Sequence, residues 1–172
     1  MHVTLELTLR PVWEEIDALG GRCMDFLKTE GLDIDAQNAL AMVACELAEN
    51  ATKYGHFQGE KAKEVVKIAL EVLPSHITVK ASNPVTQAEA ESLAVLDQTI
   101  QWIRGFQDPF QAYLERLRDV SSQALSSTES RLGLVRIAYE GQSTLDFYVG
   151  RDGILVVSAT YALGPTWEGG LA

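Results

Sequence analysis

The alternation of apolar and polar positions in the first third of the chain predicts one strand followed by two helices. Residues 2–10, "HVTLELTLR", alternate in character, which is typical of a strand with one buried face. From Pro11 the period becomes helical, and proline is tolerated at the first position of a helix. Asp33 or Asp35 can cap a second helix that runs to about Tyr54. The residues expected on the buried side of this second helix are Leu40, Val43, Leu47, Ala51 and Tyr54.

The remaining patterns predict two pairs of strands separated by a helical region. "VVKIALEVL" and "HITVKAS" form the first pair, and "STLDFYV" and "ILVVSATYAL" form the second, joined by the turn signal "GRDG". Between the pairs, residues 87–120 have helical periods, and "LGLVRIAYEG" indicates a short helix that ends at Gly141. Residues 121–131 have the composition of a loop, and the tail, residues 164–172, has no pattern.

This order of elements predicts an α+β fold. We expect a two-layer sandwich in which a mostly antiparallel, mixed sheet carries helices on one face. The length of 172 residues, with no internal repeat, is consistent with a single domain over residues 1–172.

Composition and charge exclude several classes of protein. The formal net charge of −10 argues against general binding of nucleic acid, because nothing would offset the repulsion of phosphates. No apolar run approaches the ~20 residues that a membrane-spanning helix needs. The amino terminus alternates instead of forming an apolar signal core, so a cytoplasmic location is expected.

One short segment, "ELAENATKYG" at residues 46–55, combines groups that could do chemistry. Glu46, Asn50 and Lys53 follow i, i+4 and i+7, so they project from one stripe at the edge of the buried face. An amide oxygen can bind Mg²⁺, a carboxylate can accept a proton, and a lysine can meet a phosphate. On spacing alone, an amphipathic helix whose charges face water is the more frequent outcome.

The same segment resembles the asparagine box of the GHKL ATPase superfamily. It is most similar to the anti-sigma-factor serine-kinase branch, in which the run reads E-L-x-x-N-A-x-K-Y or -H. The order of elements also fits, and "RLGLVRIAYEG" is similar to the second glycine box. The resemblance covers roughly residues 1–162 and implies a Bergerat, or histidine-kinase-like ATPase, fold.

Within that branch the chain resembles the small bacterial SiaB-like kinases of partner-switching systems. The matching features are Asn83 at a strand end, a helical insertion at about 87–120, a lid-like loop at about 121–131, and Gly133 in "LGLV". The resemblance implies an ATP- and magnesium-dependent kinase. It would phosphorylate Ser or Thr on a small antagonist protein, and its close relatives commonly form homodimers.

The resemblance also implies roles for individual residues. They are Glu46 as the general base, Asn50 as the Mg²⁺ ligand, Lys53 near the phosphates, Asn83 at the adenine end, and Gly133 and Arg131 at the phosphates. Each of the last three has an alternative. Asn83 could be a polar strand end before Pro84, Gly133 could serve helix-start packing, and Arg131 could be solvated.

Two departures from the family pattern keep a second function open. The adenine-reading D-x-G-x-G is absent from "SNPVTQ", and "SRLGL" keeps one glycine where two or more are usual. These departures favour a binding module with the same fold, which would sequester a sigma factor or an antagonist protein. A third class, a phosphotransfer domain of the histidine-kinase type, would need an upstream helical hairpin with a phosphorylatable histidine.

Overall fold

A computed structural model describes residues 2–57, 65–122 and 132–164. In chain order the elements are β1 (Val3–Leu9), α1 (Trp13–Thr29), α2 (Ile34–Tyr54), β2 (Val66–Val72), β3 (His76–Pro84), a 3₁₀ turn (Gln87–Glu89), α3 (Ala90–Arg104), α4 (Pro109–Ser122), α5 (Leu132–Tyr139), β4 (Ser143–Val149) and β5 (Ile154–Ala162).

The helix that carries "ELAENATKYG" begins and packs as its sequence predicts. Of the two candidate caps, Asp33 is the one used, and its Oδ1 accepts from the Ala36 N–H at 2.8 Å. Leu40, Val43 and Leu47 are buried, so the predicted apolar stripe of α2 faces the core. This burial fixes the rotation of α2 and therefore the direction of its polar residues.

The described strands form one five-stranded sheet in the order β1–β2–β3–β5–β4. Each neighbouring pair among them is antiparallel, so the parallel element that a mixed sheet would contain is not found in the described ranges. One face, which includes Ile68, Leu70 and Val79, is buried under the helices. The opposite face is polar and carries an ion pair between Lys80 and Glu71 at 2.6 Å. The predicted two-layer α+β fold is confirmed.

The centre of the sheet joins segments that are distant in sequence. β3 pairs with β5, so Asn83 lies opposite Leu155, and Ala81 lies opposite Val157. This pairing places the end of β3 beside residues of the C-terminal strand. The ends of these two strands form the floor of the site described below.

The predicted insertion is helical, with α3 and α4 interrupted at residues 105–108. Both helices pack on α5. α4 continues to Ser122, so the loop predicted from residue 121 begins two residues inside a helix. The rest of that loop and the tail from residue 165 lie outside the described residues. Within the described ranges, no helix has the length and apolar character needed to cross a membrane.

Candidate functional site

A cavity of about 240 Å³ lies between α2, the strand ends and the insertion. Its walls are mostly apolar, and a small number of polar side chains reach it, which is the usual composition of a small-molecule site. From α2, β3 and β5 it is lined by Leu47, Asn50, Ala51, Tyr54, Ala81, Asn83, Leu155 and Val157. From the insertion and α5 it is lined by residues that include Glu89, Glu91, Leu93, Leu96, Thr99, Gly133 and Leu134.

Two asparagines bring unpartnered amide atoms to this cavity. Nδ2 of Asn50 and Oδ1 of Asn83 are buried, and neither has a hydrogen-bond partner in the described structure. Asn83 is 2% exposed, and its Nδ2 donates to the carbonyl of Pro84 at 3.2 Å. A buried polar atom without a partner costs ~1–3 kcal/mol, so such atoms indicate a missing ligand or water. Asn50 and Asn83 are therefore two polar points in the mostly apolar lining of the cavity.

The carboxylate of Glu46 lies beside the cavity, held by an arginine that the sequence did not single out. Nη1 of Arg136 on α5 donates to Oε1 of Glu46 at 2.5 Å. Burial raises the pKa of Glu46 above its ordinary value, whereas the charge of Arg136 lowers it. To smaller extents, Glu49 and Glu140 raise this pKa and Lys53 lowers it. The net effect is a raised pKa.

Gly133 lies directly against this carboxylate. A methyl group at Gly133 would overlap Oε2 of Glu46 and would lie 3.9 Å from Nδ2 of Asn50. The absence of a side chain at the start of α5 therefore lets Glu46, Asn50 and the α5 backbone come together. The structure brings Glu46, Asn50 and Gly133 into one cluster, with Asn83 at the other polar point of the cavity.

Lys53, the predicted cation of α2, does not join this cluster. Lys53 is exposed, and its Nζ lies 6.0 Å from the ring centroid of Trp13 on α1, away from the cavity-lining residues. With about 100° of rotation per residue, Lys53 lies about 20° to one side of Glu46, whereas Asn50 lies about 40° to the other. Lys53 therefore extends along the α1 side of α2. Arg131 lies outside the described residues.

The insertion is fastened to the end of α2 at the rim of the cavity. Oε1 of Glu89 accepts from Nδ1 of His56 at 2.8 Å. Oε2 of Glu89 accepts from the Thr86 hydroxyl and N–H at 2.7 and 2.6 Å, closing a capping box. These bonds from Thr86, with a smaller contribution from His56, lower the pKa of Glu89 to about 2.

Glu89→Gln is expected to destabilise the protein at neutral pH and to have little effect in strong acid. A lowered pKa means that the native state is stabilised by the ionised carboxylate above pH 4.5, its ordinary pKa, and that this stabilisation is lost as the pH falls towards about 2. Melting temperatures of wild type and variant, measured between pH 2 and pH 7, should therefore converge at the acid end. Glu91→Gln, an exposed change in the same segment, is the control. Its melting temperature should stay close to that of wild type over the whole pH range.

Sequence reasoning missed Arg136, Glu89 and the cavity-facing side of α3. The spacing of Arg136 and Glu140 indicates a pair within one helix, but it carries no sign of the contact with Glu46, 90 positions away. Leu93 and Leu96 were recognisable as one side of a helix. Which surface that side covers depends on how the insertion packs.

Comparison with known proteins supports the fold. No protein-family model matches the sequence, and no curated protein matches it either. Solved structures do match. One is a chain of the crystal structure of the SiaB–SiaC complex from Pseudomonas aeruginosa, with 21% identity and a TM-score of 0.64; the match covers 92% of this chain and 89% of that chain. The chain thus has the same fold as this part of the SiaB–SiaC complex.

Proposed function

We propose that the chain is an ATP- and magnesium-dependent serine/threonine protein kinase of a bacterial partner-switching system, with a GHKL-type nucleotide site. The observation that carries this proposal is the cavity in which Asn50 and Asn83 present unpartnered amide atoms beside Glu46. The solved neighbour belongs to a complex of two proteins, which supports a small antagonist protein as the phosphate acceptor.

The residues present fit a nucleotide carried with Mg²⁺. Nδ2 of Asn50 is buried and unpartnered, and a half-turn of the amide exchanges its nitrogen and oxygen, so Asn50 can offer Mg²⁺ an oxygen ligand. When bound, the metal neutralises charge on the phosphates. Glu46 lies one helical turn before Asn50, where it can take a proton from an attacking hydroxyl.

Asn83 is expected to favour ATP over GTP. Because its Nδ2 is engaged by the Pro84 carbonyl, it presents Oδ1, an acceptor, to the cavity. An amino group at the purine 6-position can donate to this oxygen, whereas a 6-oxo group would repel it. The cost of one unsatisfied buried group, ~1–3 kcal/mol, predicts a preference of about 5-fold to about 150-fold. Competition between ATP and GTP for wild type and Asn83→Leu measures it; a wild type that binds both equally would contradict this role for Asn83.

A second candidate function is a binding module that holds a sigma factor or an antagonist protein without phosphate transfer. Two observations favour it. Among the described residues that line the cavity there is no lysine or arginine, whereas Glu89 and Glu91 bring negative charge to its rim. In addition, Oε1 of the proposed base is already bound by Arg136.

Calorimetric titration of ATP with and without Mg²⁺, followed by a transfer assay with γ-labelled ATP, separates these functions. The recombinant SiaC protein of the neighbouring complex is one acceptor to test, beside small proteins encoded near this chain. Magnesium-dependent binding and acid-stable label on an acceptor are the expected results. Label that is lost in acid would indicate phosphohistidine and the third class of protein. No binding at millimolar ATP would refute the kinase and favour the binding module.

A further inference from the structure

Arg136 contacts the proposed base with a fixed geometry. Its Nη1 donates to Glu46, while Nε and Nη2 donate to the two carboxylate oxygens of Glu140 at 3.3 and 3.2 Å. Each of the three guanidinium nitrogens thus has a carboxylate partner. A guanidinium is planar and rigid, so two bonds to Glu140 determine where Nη1 points.

Glu140 lies near the insertion. Tyr113 of α4 lies close to its carboxylate, and the ring of Tyr113 packs on Tyr139 at a centroid distance of 5.2 Å. The carboxylate that orients Arg136 therefore lies where α5 meets α4.

Glu46 is confined on its second oxygen too. Oε2 lies against Gly133, and the side chain of Glu46 is 15% exposed. No residue in the described ranges donates a hydrogen bond to Oε2, so its lone pairs are available while Oε1 is held. α5 thus contributes both contacts that set the carboxylate, an arginine on one oxygen and a glycine beneath the other.

We propose that Arg136 is a positioning residue, which holds the Glu46 carboxylate so that Oε2 faces the hydroxyl to be deprotonated. The proposal rests on the proposed kinase function. In the step concerned, the hydroxyl proton moves to Oε2 as the hydroxyl oxygen bonds to the γ-phosphorus and the bond to the leaving diphosphate oxygen breaks. Arg136 touches neither reactant, and it acts through Glu46 alone.

The test compares kcat and KM for MgATP in wild type, Arg136→Gln, Arg136→Lys and Glu140→Gln. Misplacing a catalytic group by about 1 Å costs ~10²-fold in rate, so Arg136→Gln should lower kcat by about that factor and leave KM for MgATP near the wild-type value. Lysine keeps the charge but not the planar fork, so Arg136→Lys should recover part of the loss. Arg118→Gln, an exposed arginine on α4, is the matched control.

A second readout does not depend on transfer. The ¹³C resonance of the Glu46 carboxylate, assigned by its loss in Glu46→Gln, should move in Arg136→Gln and stay in Arg118→Gln. An unchanged kcat, an unmoved resonance, or a parallel fall of kcat, MgATP affinity and melting temperature would overturn the proposal. If wild type transfers no phosphate, the kinase function has failed and the positioning role falls with it. A resonance that still moves then shows that the ion pair forms and that the function was the error.

Discussion

Asn50→Ala is expected to abolish the magnesium-dependent part of ATP binding without weakening the fold. The amide of Asn50 supplies the proposed metal ligand. Loss of a residue that only hydrogen-bonds to a metal ligand costs 10–100-fold in metal affinity, so loss of the ligand itself should cost about 100-fold or more. The Nδ2 atom is buried without a partner, and its removal takes away a cost of ~1–3 kcal/mol. Binding and stability should therefore change independently.

Calorimetry with ATP, with and without Mg²⁺, measures the first effect, and urea unfolding measures the second. Asn38→Ala makes the same chemical change at an exposed position of the same helix and should leave both quantities unaltered. Equal affinity for MgATP in wild type and Asn50→Ala would exclude Asn50 as the metal ligand.

Glu46→Gln is expected to remove phosphate transfer and retain MgATP binding. A general base contributes ~10²–10⁴-fold to a rate, and glutamine preserves the shape of the side chain but cannot accept the proton. Burial raises the pKa of Glu46, and Arg136 acts in the opposite direction, with a raised pKa as the net effect. The wild-type rate should therefore rise at a higher pH than it would with a base that had the ordinary pKa of glutamate.

The control for this change is Glu49→Gln, a half-buried carboxylate three residues along the same helix that does not line the cavity. Glu49→Gln should transfer phosphate at close to the wild-type rate. Transfer by Glu46→Gln at the wild-type rate, with the same pH dependence, would rule out this base.

The parts of the fold that were predictable from sequence are those determined within one element. The Asp33 cap, the buried stripe of α2 and the alternation of the strands depend on neighbours within a few residues, so a single sequence contains the whole signal. The same holds for the turn between β4 and β5. There Gly153 has a φ of 73°, a conformation in which glycine is unstrained.

The parts that were not predictable depend on packing between distant segments. Periodicity places Glu46, Asn50 and Lys53 on one stripe, but the neighbours of that stripe differ: Arg136 lies beside Glu46, whereas Trp13 lies below Lys53. The roles of Lys53 and Arg131 stay predictions, as does the formation of a homodimer.

The pairing of β3 with β5 has a consequence for how the protein folds. Asn83 and Leu155, which face each other across this pairing, are ~70 residues apart, and such long-range contacts form late because they close a large loop. The cavity cannot exist before β5 has been synthesised and has docked. A ligand of this cavity binds only the completed fold, so it should raise the free energy of unfolding of the two halves of the sheet together. Nascent chains that end before residue 154 should not respond to it.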